Sequence, residues 1–167
     1  EQQKLEILRN FGLYHTIGNF FMPHRNDSSC CDEQQQMHTL LEWLKEHSGH
    51  LKKHGFDIQP HLDNKTYCFP EFRLDSQIHE NNDWFDVKAM VQVGTYQFPF
   101  VSFRKNILQG IREIKLPNGK YALLPKEWFT HYADLFKFGE VQENKLKINK
   151  FHFKILERSL ETTRDSY

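Results

Sequence analysis

The residues best suited by type to do chemistry are Glu113-Ile114-Lys115, with Asp83 and Asp86 upstream of them. Several metal-dependent nucleases carry Glu-x-Lys on a strand. There carboxylate oxygens hold a divalent cation and the lysine steadies a nucleophile. The plainer reading is that Glu113 and Lys115, two apart, share the solvent face of an alternating strand. Asp86 falls opposite the apolar row of its own strand, where a solvated carboxylate belongs. Three-residue patterns recur by chance, so a nuclease-like enzyme using Asp83, Asp86, Glu113 and Lys115 stands as the alternative.

His47, His50 and His54 fall on one strip of a helix, and imidazoles at i and i+4 can share a metal. No His-Glu-x-x-His accompanies them and Trp43 lies on the same strip, so a solvated or partner-facing flank is the stronger reading. Cys30-Cys31 is adjacent rather than spaced for zinc, and Cys68 has no partner in the sequence that would lower its pKa. There is no Gly-x-Ser-x-Gly elbow, no Gly-x-x-x-x-Gly-Lys-Ser/Thr and no Gly-x-Gly-x-x-Gly. No catalytic residue, metal site or cofactor is therefore expected within these 167 residues.

Cations gather in two places. Arg104, Lys105, Arg112, Lys115 and Lys120 lie on the wet sides of an expected helix and hairpin, and are the candidate nucleic-acid contacts. A second set, Lys137, Lys145, Lys147, Lys150 and Lys154, leads into the last helix. Both can meet a phosphate backbone, or serve solubility, since Glu113, Glu127 and Glu140 are interleaved. With 22 basic and 22 acidic residues the net charge is zero, so any such contact is local.

The elements that must position these side chains centre on 83–139. Phe85, Val87, Ala89, Val91 and Val93 alternate with Trp84, Asp86, Lys88, Met90 and Gln92, the period of a half-buried antiparallel strand. Phe72, Leu74 and Ile78 alternate likewise and predict a pairing strand. After Gly94-Thr95 and a short run at 96–98, Phe100, Phe103 and Ile107 predict a helix ending at Gly110. Asn118-Gly119 predicts a type I′ hairpin turn. Pro125 opens a helix with Trp128, Phe129, Tyr132, Leu135 and Phe136 inward, ended by Gly139.

Outside that stretch, 34–54 reads as a helix with Met37, Leu40, Leu41, Leu44 and Leu51 inward, where Gly49 allows a kink or split. Strands are expected at 56–61 and 66–69. Residues 140–147 read as a polar passage before a helix from 149 with Phe151, Ile155, Leu156 and Leu160 inward. The apolar cluster Ile17, Phe20, Phe21 and Met22 and the polar linker 26–32 are not further readable.

Hydrophobic content is only 38%, but 15 Phe, 6 Tyr and 3 Trp supply a sizeable core. Three cysteines fit a reducing compartment, and no apolar run reaches the ~20 residues of a membrane span, so a soluble, cytoplasmic protein is expected. Glu1 and the final Arg164-Asp165-Ser166-Tyr167 read as cut ends of a longer polypeptide.

The stretch 83–153 resembles the accessory region preceding the motor in bacterial SWI/SNF-family helicases. Its words are Trp84-Phe85-Asp86-Val87, Gly94-x-Tyr96-x-Phe98-Pro99-Phe100, Leu116-x-x-Gly119, Leu124-Pro125-x-Glu127-Trp128, Phe138-Gly139 and Asn149-Lys150-Phe151. The resemblance implies a non-catalytic accessory module beside an ATP-dependent motor whose ATP site lies elsewhere. The partners it implies are that motor and DNA, and it supplies no catalytic residues. The expected fold is α+β, a mainly antiparallel sheet with helices packed against it. A helical or mixed part over 1–71 precedes an accessory core over 72–167. A purely structural interaction module is the third reading.

Overall fold

A computed structural model of the chain describes residues 2–15, 21–23 and 32–161. The side chains of the cluster at 17 and 20–22, and the Cys30-Cys31 pair, lie outside what is described. The chain divides into two compact units, Glu1–Tyr67 and Cys68–Tyr167. Among the described residues no helix is long and apolar enough to cross a membrane.

The first unit runs α1 (Gln2–Asn10), β1 (Leu13–His15), β2 (Phe21–Pro23), α2 (Glu33–Lys53), β3 (His61–Leu62) and β4 (Lys65–Thr66). Helix α2 passes uninterrupted through Gly49, buries Leu41 and Leu51, and stops before Gly55 at φ 79°. The expected strand at 56–61 is absent until its last residue. Asp63 and Asn64, both at positive φ, make the two-residue β3–β4 turn, the pattern of type I′.

The second unit runs β5 (Phe72–Glu80), β6 (Trp84–Val93) and β7 (Tyr96–Pro99), then a 3-10 turn (Phe100–Phe103) leading into α3 (Arg104–Gln109). It continues with β8 (Glu113–Lys115), β9 (Tyr121–Leu123), α4 (Trp128–His131), α5 (Ala133–Phe138), β10 (Glu140–Gln142) and β11 (Lys145–Asn149). A second 3-10 turn (Lys150–His152) opens α6 (Phe153–Glu161). All its strand pairs are antiparallel: a five-stranded sheet in the order β10-β11-β6-β5 with β7 also on β6, and the separate hairpin β8–β9. The fold is α+β, with helices packed against antiparallel sheets.

Strand β6 is the axis of this unit. Along one edge it pairs with β5 from Phe72↔Val93 to Glu80↔Phe85. The other edge is shared, β11 taking Trp84 to Val87 and β7 taking Met90 to Val93. Its apolar row is buried, Val91 and Val93 completely, and Leu146 and Ile148 of β11 stand opposite Val87 and Phe85 on the same face. Aromatic rings pack in the same core. Phe100 lies 5.0 Å from Tyr132 and 4.7 Å from Phe136, and Trp128 sits edge-on to Phe72, Phe103 and Tyr132. Each such pair is worth about 0.5–1.5 kcal/mol beyond its buried area.

Within the second unit four expectations need correction. The Asn118-Gly119 turn is not type I′: only Gly119 has positive φ, and its N–H donates to the Leu116 carbonyl. Pro117-Asn118 is thus the centre of a type I turn followed by a left-handed Gly. Proline's fixed φ suits that first central position. The helix expected from Pro125 is a turn and two short helices, broken at Tyr132 (φ −105°, ψ −2°). The polar passage 140–147 is the β10–β11 hairpin, turned by Glu143 at φ 52°. Phe151, expected inward, is 95% exposed, while Leu156 and Leu160 are buried.

Gly139 does end α5, but its φ of −88° requires no glycine. Its neighbours do. A Cβ there would stand 2.6 Å from the Leu135 carbonyl oxygen and 2.7 Å from Leu146 Cδ1. Gly139→Ala is expected to cost about 1–3 kcal/mol in denaturant unfolding, the usual range for overpacking. Gly49→Ala, with nothing within 4 Å of its Cβ in a helix interior, should instead stabilise by about 0.5–1 kcal/mol.

Burial of Tyr132 pushes its phenol from the ordinary 10.0 up to about 12. The folded chain therefore holds its proton where the unfolded chain has lost it. Stability from this group is complete below about pH 10 and falls as pH rises toward 12, by on the order of 2–3 kcal/mol. In urea melts between pH 9 and 12, Tyr132→Phe should flatten that decline relative to the unaltered chain.

Candidate nucleic-acid interface

Pro99 ends β7 and leads through the 3-10 turn into α3, which closes at Gly110 in the left-handed region at φ 70°. Phe100, Phe103 and Ile107 are buried, so the opposite side of the helix presents Arg104, Lys105 and Gln109 to solvent. Asn106 fixes the helix to the next strand, its Nδ2 donating to the carbonyls of Ile111 (3.2 Å) and Glu113 (3.3 Å). On β8 Ile114 is buried and Lys115 exposed, and Lys115 lies opposite Tyr121 across the ladder. Lys120 is exposed beside the turn.

Arg112 differs from the other four candidates. It is half-buried, and both Nε (3.3 Å) and Nη2 (3.2 Å) donate to the Leu124 carbonyl, while the Arg112 carbonyl accepts the Leu124 N–H. That guanidinium holds the hairpin to the chain leaving it. Arg104, Lys105, Lys115 and Lys120 form no ion pair among the described residues, and they remain the solvent-facing part of this set.

The second basic set also divides. Lys147 Nζ lies 3.9 Å above the Trp84 ring, a cation–π contact. Lys150 Nζ meets Glu80 Oε1 at 2.7 Å. Lys137, Lys145 and Lys154 are exposed. Around them lie aromatics that the sequence reading placed inside or did not weigh: Phe138 (52% exposed), Phe151 (95%) and Phe153 (46%). Helical phase was the available signal. Phe151 precedes Leu156 by five residues, roughly 140° around a helix, whereas Leu156 and Leu160 are four apart.

The acidic constellation is dispersed. Glu113 and Lys115 sit on the β8–β9 hairpin, Asp86 on β6 and Asp83 on the loop before it. Asp86 Oδ2 accepts from Asn81 Nδ2 at 3.0 Å, and the Asp83 carbonyl accepts from the Lys150 N–H. Among the described residues no three His, Cys, Asp or Glu side chains form a metal-holding group.

The histidine strip has a packing role within the first unit. His47 stacks on Trp43 at 4.7 Å and takes the edge of Phe11 at 5.1 Å, and Trp43 Nε1 donates to the Phe11 carbonyl at 2.7 Å. His50 also approaches Phe11, and His54 occupies the position after α2. Cys68 does have a lowering neighbour, Lys120, yet burial pushes its thiol up by more than that charge pulls it down. A thiol held protonated is a poor nucleophile.

No family model, no curated protein and no solved structure matches the chain.

The division of the cations is testable by stability. Arg112→Ala should cost about 1.5–3 kcal/mol in chemical unfolding, as expected for buried bonds from a charged donor. Lys115→Ala should stay within about 0.5 kcal/mol of the unaltered chain.

Proposed function

We propose that the chain is a non-catalytic accessory region of a SWI/SNF-type ATP-dependent motor, and that its second unit touches a nucleic-acid backbone. The observation that carries the reading is the exposed pair Arg104-Lys105 on α3. Asn106 bonds that helix to the strand bearing Lys115, so three solvent-facing cations project from one fixed corner. Long flexible cations on a rigid base suit phosphate contact without base readout. On this reading the ATP chemistry of the motor belongs to other residues, since the sequence holds no phosphate-cradling glycine loop.

The words of the resemblance support the same reading from another side. Phe85, Val87, Phe100, Leu116 and Leu124 are buried, and Trp128 packs against Phe72 and Tyr132. They therefore describe a scaffold, and a scaffold with an aromatic interior leaves its cationic skin free to serve a partner. A module of this kind needs only weak affinity, because a tethered motor raises the local concentration of its substrate.

The test is binding of a fluorescent DNA duplex, followed by anisotropy across a salt series. Affinity should fall steeply as salt rises, and Arg104→Glu with Lys105→Glu should weaken binding about tenfold and reduce the log–log slope by about 2. Salt-independent binding, or an unchanged slope in the double variant, would count against the assignment.

A further inference from the structure

The end of the sheet where β11 passes into α6 carries a feature that duplex contact does not use. Lys150-Phe151-His152-Phe153-Lys154 interleaves cations and rings. Phe151 is 95% exposed on a backbone that is pinned rather than loose, since its own N–H donates to Asn149 Oδ1 at 3.0 Å. His152 stacks on Phe138 with centroids 4.7 Å apart and planes 29° from parallel. Phe153 rests one side on Phe85 at 5.5 Å and leaves 46% of its surface open.

We infer that Phe138, Phe151 and His152 form a stacking platform for unpaired nucleic-acid bases, with Lys137 and Lys154 taking the adjoining phosphates. Unpaired bases offer flat faces to rings and phosphates to ammonium groups, whatever their sequence. A duplex keeps its bases stacked on one another and has no face to give. A purely apolar partner fits less well, because covering the phenyls would also strip water from Lys137 and Lys154. No ion pair among the described residues takes Lys137 or Lys154: Glu80 is held by Lys150, and Asp134 pairs with Arg158. Asp83, Glu140 and Glu157 are exposed as well.

This site stands on residues other than Arg104 and Lys105, so the two readings fail separately. The probe is a fluorescent oligothymidylate of about 20 nucleotides, titrated at low salt with the whole 167-residue chain. Phe151→Ala is the main variant, since a side chain this exposed can be removed without opening the core. Phe138→Ala is the second, and circular dichroism checks the fold of both. Each should weaken oligothymidylate binding by about tenfold, the usual loss for one base–ring stack. Arg104→Glu with Lys105→Glu should change it less than Phe151→Ala does. Failure of the chain to bind the oligothymidylate, or equal binding by Phe151→Ala, overturns the inference. So does a self-associating chain that Phe151→Ala turns monomeric while oligothymidylate binding is unmoved, which would make the patch a protein interface.

Discussion

The second unit depends on satisfying both edges and one face of a single ten-residue strand. Every residue of β6 that turns inward is apolar, so a slip of one residue would carry the whole row to the wet side. The long partner β5 fixes register on one edge. The other edge is divided between two short strands, β7, which follows β6 directly, and β11, which arrives much later in the chain. Because β11 precedes α6, the last helix is placed by the same ladder that places the first hairpin. The cores of α3 and α5 then close over the strand through Phe100, which touches both Tyr132 and Phe136.

What was legible in the sequence was what one local rule decided. The alternation in β6 and β5 was decisive because one face is buried and the other wet, leaving a period of two with no competing pattern. Gly110 and Gly94 could be read as punctuation because positive φ at those sites is cheap only for glycine. The β10–β11 hairpin stayed hidden because the left-handed position of its turn is taken by Glu143 rather than by a glycine, with Asn144 as the one turn-forming residue beside it. Its strand offers only Leu146 and Ile148 among charged neighbours, and these gain meaning once Val87 and Phe85 are opposite them. At Asn118-Gly119 the dipeptide signal was outweighed by Pro117, whose fixed φ selects a wider loop.

The candidate site was legible in residue type and illegible in commitment. All ten cations of the two sets look alike in sequence. In the fold Arg112 is bound to a carbonyl, Lys147 to an indole face and Lys150 to a carboxylate, leaving the rest to solvent. The histidines of α2 repeat the lesson: a strip with metal-ligand spacing is spent on Trp43 and Phe11. Spacing states which side chains can meet, and only long-range neighbours decide what they meet.

Overall neutrality makes these local distinctions matter more. With equal numbers of acids and bases, the field of the chain cancels beyond the ~8 Å over which physiological salt screens charge. A phosphate backbone approaching from solvent is therefore not drawn to the molecule as a whole. On the proposed reading it would be held only where cations have no nearer partner among the described residues. Phe151 lies outside a core that is already closed by Phe85, Phe100, Phe136, Leu146 and Ile148. Its backbone is tied by Asn149, and it stands between Lys150 and His152 with its ring turned to solvent. An exposed phenyl returns little to stability, and the proposed stacking of unpaired bases would give a fixed one beside Lys150 a use.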